Sequence, residues 1–300
     1  MSMTNPLDQL VGELWKSLAA ASVPRPDVVV SLATGLDLLP ERLTQGAEVA
    51  LADHAELPAP LASARLYHGS WAKPVAEDEA PGSSSLEGAS VWIVLDGSLE
   101  PRLPNEPGVP AWASLVPIWL AAKAGASFLL HASAGLALHG ELAPGTLALL
   151  HDHVNFGAPS PLTGLGESEL GPLFPDTTHL HNTALRELAQ RVAGERGLRV
   201  SEAIAACVPA PQLDTPAECA FYAKAGADLV VQGLGAPLLA AAHAGLGVLA
   251  VSVVLDGPGR ELDVRKLLER AEQSAPALEE LLIVVCGELA ASGLLEDEDL

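Results

Sequence analysis

The side chains that first suggest chemistry come in close pairs. His151 and His153 flank Asp152 at the end of an apolar run, and His179 and His181 form a second pair with one residue between them. Alternate residues of a strand share a face, so either pair can offer two imidazoles to one metal ion. Neither pair has a third and fourth ligand at a recognisable spacing, so the sequence assigns no metal. The stretch SLATGLDLLPERL (31–43) follows a β-branched run and can turn backbone N–H groups around Thr34 and Gly35 toward an anion. It lacks the GxxxxGK(S/T) of a P-loop and a complete dinucleotide GxGxxG. No GxSxG elbow marks a serine nucleophile. Asp214 stands just ahead of Thr215-Pro216, where Thr215 and Glu218 match a capping box and proline opens a helix. A carboxylate there either answers the helix dipole or reads a ligand. Cys219, beside Phe221 and Tyr222, reads as a small buried hydrophobe.

The chain around these residues has 300 positions, with 49% hydrophobic and 18% charged residues. That much apolar material can build a core and excludes a disordered chain. Sixteen basic residues against 38 acidic leave a formal charge of -22. A nucleic-acid binder needs a basic stripe to displace counterions, and none is present. Three cysteines, Cys207, Cys219 and Cys286, are too few and too scattered for a disulfide framework or a zinc cage, which suits a reducing, cytoplasmic compartment. The N-terminus lacks the basic-then-apolar order of a signal peptide. Residues 229–255 carry no charged side chain and are long enough to span a membrane. Gln232, Pro237, His243 and several glycines interrupt them, so they read instead as a strand, a short helix and a second strand. No membrane partner is expected.

The elements that must position these residues alternate along the chain. Strands are predicted at Val28–Leu32, Arg65–Gly69, Val91–Asp96, Phe128–His131, Thr146–His151, Ala203–Val208, Leu229–Gln232 and Val248–Leu255. Helices are predicted at 6–21, starting at Thr4 or Asn5, and at 111–124, 177–196, 215–225, 236–244 and 262 to about 292. Strands separated by helices define an α/β class with a parallel or mixed sheet. Segments 72–87, 100–110 and 155–175 read as long loops, which in a compact domain are usually lids or disordered surface. No linker divides the chain, so 1–300 is expected to be one domain, with a helix over 1–22 and an acidic tail over 293–300.

Four stretches taken in order carry a family resemblance: VVVSLATGLDLLPERLTQ (28–45), PGTLALLHDHVNFGAPSPLTG (144–164), FPDTTHLHNTALRELA (174–189) and LDTPAECAFYAKAGADLVVQ (213–232). Over nearly 20–290 the chain resembles the trimeric class of purine nucleoside phosphorylases. The resemblance implies a single domain with a mixed, partly barrel-like sheet, a homotrimer, and sites near subunit interfaces. It implies cleavage of a purine nucleoside by phosphate to free base and ribose 1-phosphate, with no cofactor besides that co-substrate. Such a reaction needs an anion clamp, a pocket for a cationic sugar and a proton or hydrogen bond at purine N7.

Carried over position by position, the resemblance implies a degraded phosphate site. Thr34 keeps the hydroxyl of the first phosphate turn, but Ser98 and Glu100 stand where the family has arginine and histidine. A carboxylate near a phosphate repels it by roughly 1–4 kcal/mol per unit charge at about 4 Å. Ser133 stands for the family's asparagine and Gly233 for a phosphate-binding serine. Arg102 or Lys73, on nearby loops, are candidate replacement cations. For the purine, Asp214 matches a glutamate and Asp256 an asparagine directed at N7. Asp256 can donate there only when protonated; ionised, it accepts from a 6-amino group. Val264 falls near the position of a ribose-binding histidine, and Ala62 near a lid histidine. Phe174 matches the aromatic that enters a neighbouring subunit's ribose pocket. Three readings follow: a phosphorylase of altered specificity, a catalytically silent trimeric paralogue that binds a nucleoside or partners an active relative, or a hydrolase with Glu100 as general base.

Overall fold

The computed structural model describes residues 5–32, 39–58, 61–71, 88–95, 109–157, 160–259 and 263–296. The candidate positions Thr34, Ser98, Glu100, Lys73 and Arg102 lie outside them, as do the predicted loop 72–87 and most of 100–110.

The first helix, α1 (Pro6–Ala20), starts where Asn5 accepts a hydrogen bond from the Leu7 N–H at 2.9 Å, with proline in the first turn. Leu7, Val11, Leu14 and Leu18 recur at helical spacing and are all buried. The Asn5 amide also donates to the carbonyls of Leu165 and Glu167, and Asp8 accepts from Ser168 Oγ and the Glu169 N–H. Through these bonds the N-terminal helix holds the segment that leads to Phe174.

Nine strands form one mixed sheet: β1 (Val28–Leu32), β2 (Thr44–Ala50), β3 (Arg65–Ser70), β4 (Ser90–Leu95), β5 (Phe128–Ala137), β6 (Leu147–Asn155), β7 (Val200–Val208), β8 (Leu229–Gln232) and β9 (Gly247–Asp256). Their order is β2-β3-β4-β1-β5-β8-β7-β6-β9, and β9 pairs again with β5. Five strands therefore close into a barrel, and β1 to β4 extend from it as an open wing. Strand β5 belongs to both parts. Its start pairs with β1, its whole length runs parallel to β9, and its end, Gly135 to Ala137, pairs antiparallel with β8.

Helices cover both faces. In β1 and β5, Val29 and Leu129 join a core with α1, α2 (Val116–Ala124) and α5 (Gly235–His243). Their neighbours Val28, Val30, Phe128 and Leu130 join a second core with α3 (Thr183–Arg196) and α6 (Val264–Leu289). Strands buried on both sides read as unbroken apolar runs, which is why VVV and FLL were legible. A third, smaller core sets Ala206, Val208 and Val230 under Tyr222 of α4 (Pro216–Lys224).

Segment 229–255 resolves into β8, α5 and β9, and among the described residues no helix is long and apolar enough to cross a membrane. Several elements differ from expectation. Strand β2 has a mostly exposed side-chain pattern and a register shift between Thr44 and Ala47, so no apolar alternation announces it. Helix α3 begins at Thr183 rather than 177, because the Asn182 side chain caps it by accepting from the Leu185 N–H. Strands β5 and β6 run past their expected ends at His131 and His151 to complete the barrel.

Candidate functional site

Strand register places Ser133 and Asp256 along the second half of β5. Ser133 lies on β5, paired with Ser252 of β9, and Leu136 pairs with Asp256 at the end of β9. Strand β8 runs back along β5 with Gly135 opposite Val231, and Gly233 follows the end of β8. The Gly233 N–H donates to the Val208 carbonyl at 3.0 Å, so the loop after β7, which carries Asp214, leaves beside it. Gly233 adopts φ +72°, a left-handed conformation that disfavours a side chain. Ser133 is buried and its hydroxyl donates to the Val251 carbonyl at 3.4 Å.

Asp256 is 5% exposed, and its Oδ2 lies 2.6 Å from Arg270 Nη1 on α6. Its Oδ1 accepts from the Gly257 N–H at 2.8 Å. The same Arg270 nitrogen donates to the Leu255 carbonyl at 2.9 Å, which fixes the guanidinium against the strand end. A charge-assisted contact this short belongs to a carboxylate rather than a carboxylic acid. These contacts present Asp256 as an acceptor.

Asp214 is held by longer contacts. Its Oδ1 lies 3.4 Å from both Gln212 Nε2 and Tyr222 Oη. Burial pushes this carboxyl above its ordinary value; the Gln212 bond opposes that, the Glu218 charge adds to it, and the Tyr222 bond opposes it. The Gln232 amide donates to the Gln212 carbonyl and ties the Asp214 loop to the end of β8. The capping box appears as expected, with Thr215 and Glu218 bonded to each other's backbone N–H groups. Glu218 is therefore a helix cap.

Phe174 and Val264 are 89% and 56% exposed. Phe174 projects into solvent rather than into the core of its own chain. Val264 opens α6, whose first half is largely exposed, and Arg270, two turns further on, is what reaches Asp256. Arg270 escaped the sequence reading because it and Asp256 stand 14 residues apart on different elements. The only hint was a basic residue in a chain with few of them. Ala62 is exposed beyond the short turn at Leu61.

The histidine pairs come together across, not within, their motifs. His153 Nδ1 lies 3.0 Å from His181 Nε2, and one ligand atom from each of Asp152, His153 and His181 lies within 4.8 Å of the other two. His151 and His179 are exposed.

A mixed sheet closed through β5 and β9, with carboxylates at the ends of β9 and the β7 loop, is the nucleoside phosphorylase fold. The phosphorylase superfamily model matches residues 45–285. The chain belongs to that superfamily. Purine nucleoside phosphorylase 1 of Geobacillus stearothermophilus is 28% identical over 232 residues, 76% of this chain and 77% of that protein. The Bos taurus purine nucleoside phosphorylase is 25% identical over 293 residues, 93% of this chain and 94% of that one. In solved structures, Schistosoma mansoni purine nucleoside phosphorylase in complex with adenosine shares the fold with a TM-score of 0.79 at 21% identity, covering 96% of this chain and 99% of that one.

Proposed function

We propose that this chain binds a purine nucleoside carrying a 6-amino group and transfers its pentosyl group to phosphate, giving the free base and ribose 1-phosphate. The observation that carries the base preference is the 2.6 Å Asp256–Arg270 ion pair. A carboxylate held ionised accepts from an exocyclic amine and repels the 6-oxo group of inosine or guanosine. Arg270 beside it supplies a cationic field near the departing base, which gains negative charge as the glycosidic bond breaks. Asp214, buried and loosely bonded, is a second reader of the base edge.

The chemistry itself is supported by kinship, since the relatives over most of the chain are purine nucleoside phosphorylases. In this reading Thr34, Ser98 and Ser133 face the phosphate, and cations from Arg102 or Lys73 complete its clamp. The exposed Phe174 enters the ribose pocket of a second protomer in a cytoplasmic homotrimer.

A second reading draws on Ser133 and Gly233. One hydroxyl is turned to the Val251 carbonyl and the other position offers no side chain, as in a scaffold that binds a nucleoside without turning it over. Base release from adenosine, inosine, guanosine and xanthosine, each with and without phosphate, separates the readings. Phosphate-dependent release of adenine supports the transferase. Phosphate-independent release points to hydrolysis, and no release from folded protein points to the silent scaffold.

A further inference from the structure

The His153–His181 contact lies away from the base-reading end. A bulge in β6 creates it: the register with β7 steps from Leu150 opposite Ala203 to Asp152 opposite Ile204, leaving His151 over. Without the extra residue His153 would turn to the other face of the sheet. With it, His153 pairs with Ala205 and points to the side of Leu150 and Ala203. His181 is fixed from the opposite direction. It bridges Val248 of β9, the Asn182 N–H donates to the Val248 carbonyl at 3.0 Å, and the Val248 N–H donates to the Leu180 carbonyl at 2.9 Å.

Two imidazole nitrogens facing at 3.0 Å have room for one proton between them. His181 is 8% exposed, and its Nδ1 is buried with no hydrogen-bond partner among the described residues. Nε2, not this nitrogen, faces His153 and is the atom offered to a metal.

We propose that Asp152, His153 and His181 form a three-ligand site for a divalent transition-metal ion, zinc above all. Two nitrogen ligands on a tetrahedral zinc stand about 3.3 Å apart, so the observed separation needs a few tenths of an ångström of adjustment. Two imidazoles and a carboxylate suit zinc better than calcium or magnesium, which favour oxygen ligands throughout. Asp152 is exposed, so the fourth position opens to solvent. The neighbouring charges permit a cation. Asp152 contributes a negative charge, and Arg186, whose positive charge acts on His181, is itself paired with Glu202 and bonded to Thr183 Oγ1. The site sits at Val248, eight residues along β9 from Asp256, and clamps β6 to the segment that leads into α3.

The test is titration of the tag-free, full-length chain with zinc chloride by calorimetry, with cobalt(II) as a visible-absorption probe. One equivalent of zinc per chain is expected, with a rise of several degrees in Tm and a tetrahedral cobalt spectrum. His153→Ala and Asp152→Asn should each weaken binding at least tenfold; these accessible positions carry the test in case His181→Ala does not fold. Absence of stoichiometric uptake by the parent chain overturns the proposal. So does uptake by His153→Ala equal to that of the parent.

Discussion

Arg270 Nη1 stands 2.6 Å from Asp256 Oδ2, joining the exposed half of α6 to the buried end of β9. A carboxylate that is 7% exposed at its side chain, and a guanidinium that is 29% exposed, meet where the first half of α6 passes the end of β9. Removing one partner of a buried pair strands the other, whereas removing both charges costs far less. Arg270→Met should therefore lower stability by about 2 kcal/mol, or roughly 5 °C in Tm. Adding Asp256→Asn should recover most of that loss. Thermal unfolding of the four chains of this cycle measures the coupling, and strictly additive losses would argue that the pair carries no interaction energy.

His131 lies at the centre of β5, between Ser31 of β1 and Ala250 of β9, and burial pulls its imidazole down to about 4. The unfolded chain takes up this proton near its ordinary value of about 6.5, while the folded chain resists until about 4. Stability from this group is therefore complete above pH 6.5 and is lost as pH falls through that window, by up to about 3 kcal/mol. Urea midpoints between pH 7 and 4 should drop more steeply for the parent chain than for His131→Asn. Parallel curves would mean that the folded state accommodates the protonated ring.

Gly171 presses against α5, where an added Cβ would lie 1.6 Å from the His243 carbonyl oxygen. No side-chain rotation relieves a clash with backbone. Gly171→Ala should cost about 2–3 kcal/mol and push the segment carrying Leu173 and Phe174 off the helix. If Phe174 enters a neighbouring protomer, the variant should also shift light-scattering mass toward monomer. An unchanged Tm would show that the segment moves freely.

Much of the fold was open to reading because the buried strands are continuous apolar runs and the helices begin with Asn5-Pro6 or Thr215-Pro216. Asp214 and Asp256 were reached through family resemblance, since a lone carboxylate beside a helix start has no signature of its own. Arg270 was not legible: its partner is set by where α6 crosses the end of β9, a tertiary fact. The two HxH motifs misdirected attention in the same way. Strand alternation pairs His151 with His153, but the bulge at His151 breaks that alternation and hands His153 to His181, 28 residues away. Strand β2 was missed because its exposed TQGAEVA pattern is stabilised by pairing with β3 rather than by burial.

The base-reading role of Asp256 is tested most directly by kcat/KM for adenosine and inosine with saturating phosphate, in the parent chain and in Asp256→Asn. A hydrogen bond to a charged acceptor is worth about 2 kcal/mol, or roughly thirtyfold, so the parent should favour adenosine by that order. In Asp256→Asn the amide can donate to a 6-oxo group and the preference should swing toward inosine. A parent chain that prefers inosine, or a ratio that the substitution leaves unchanged, would contradict the assignment.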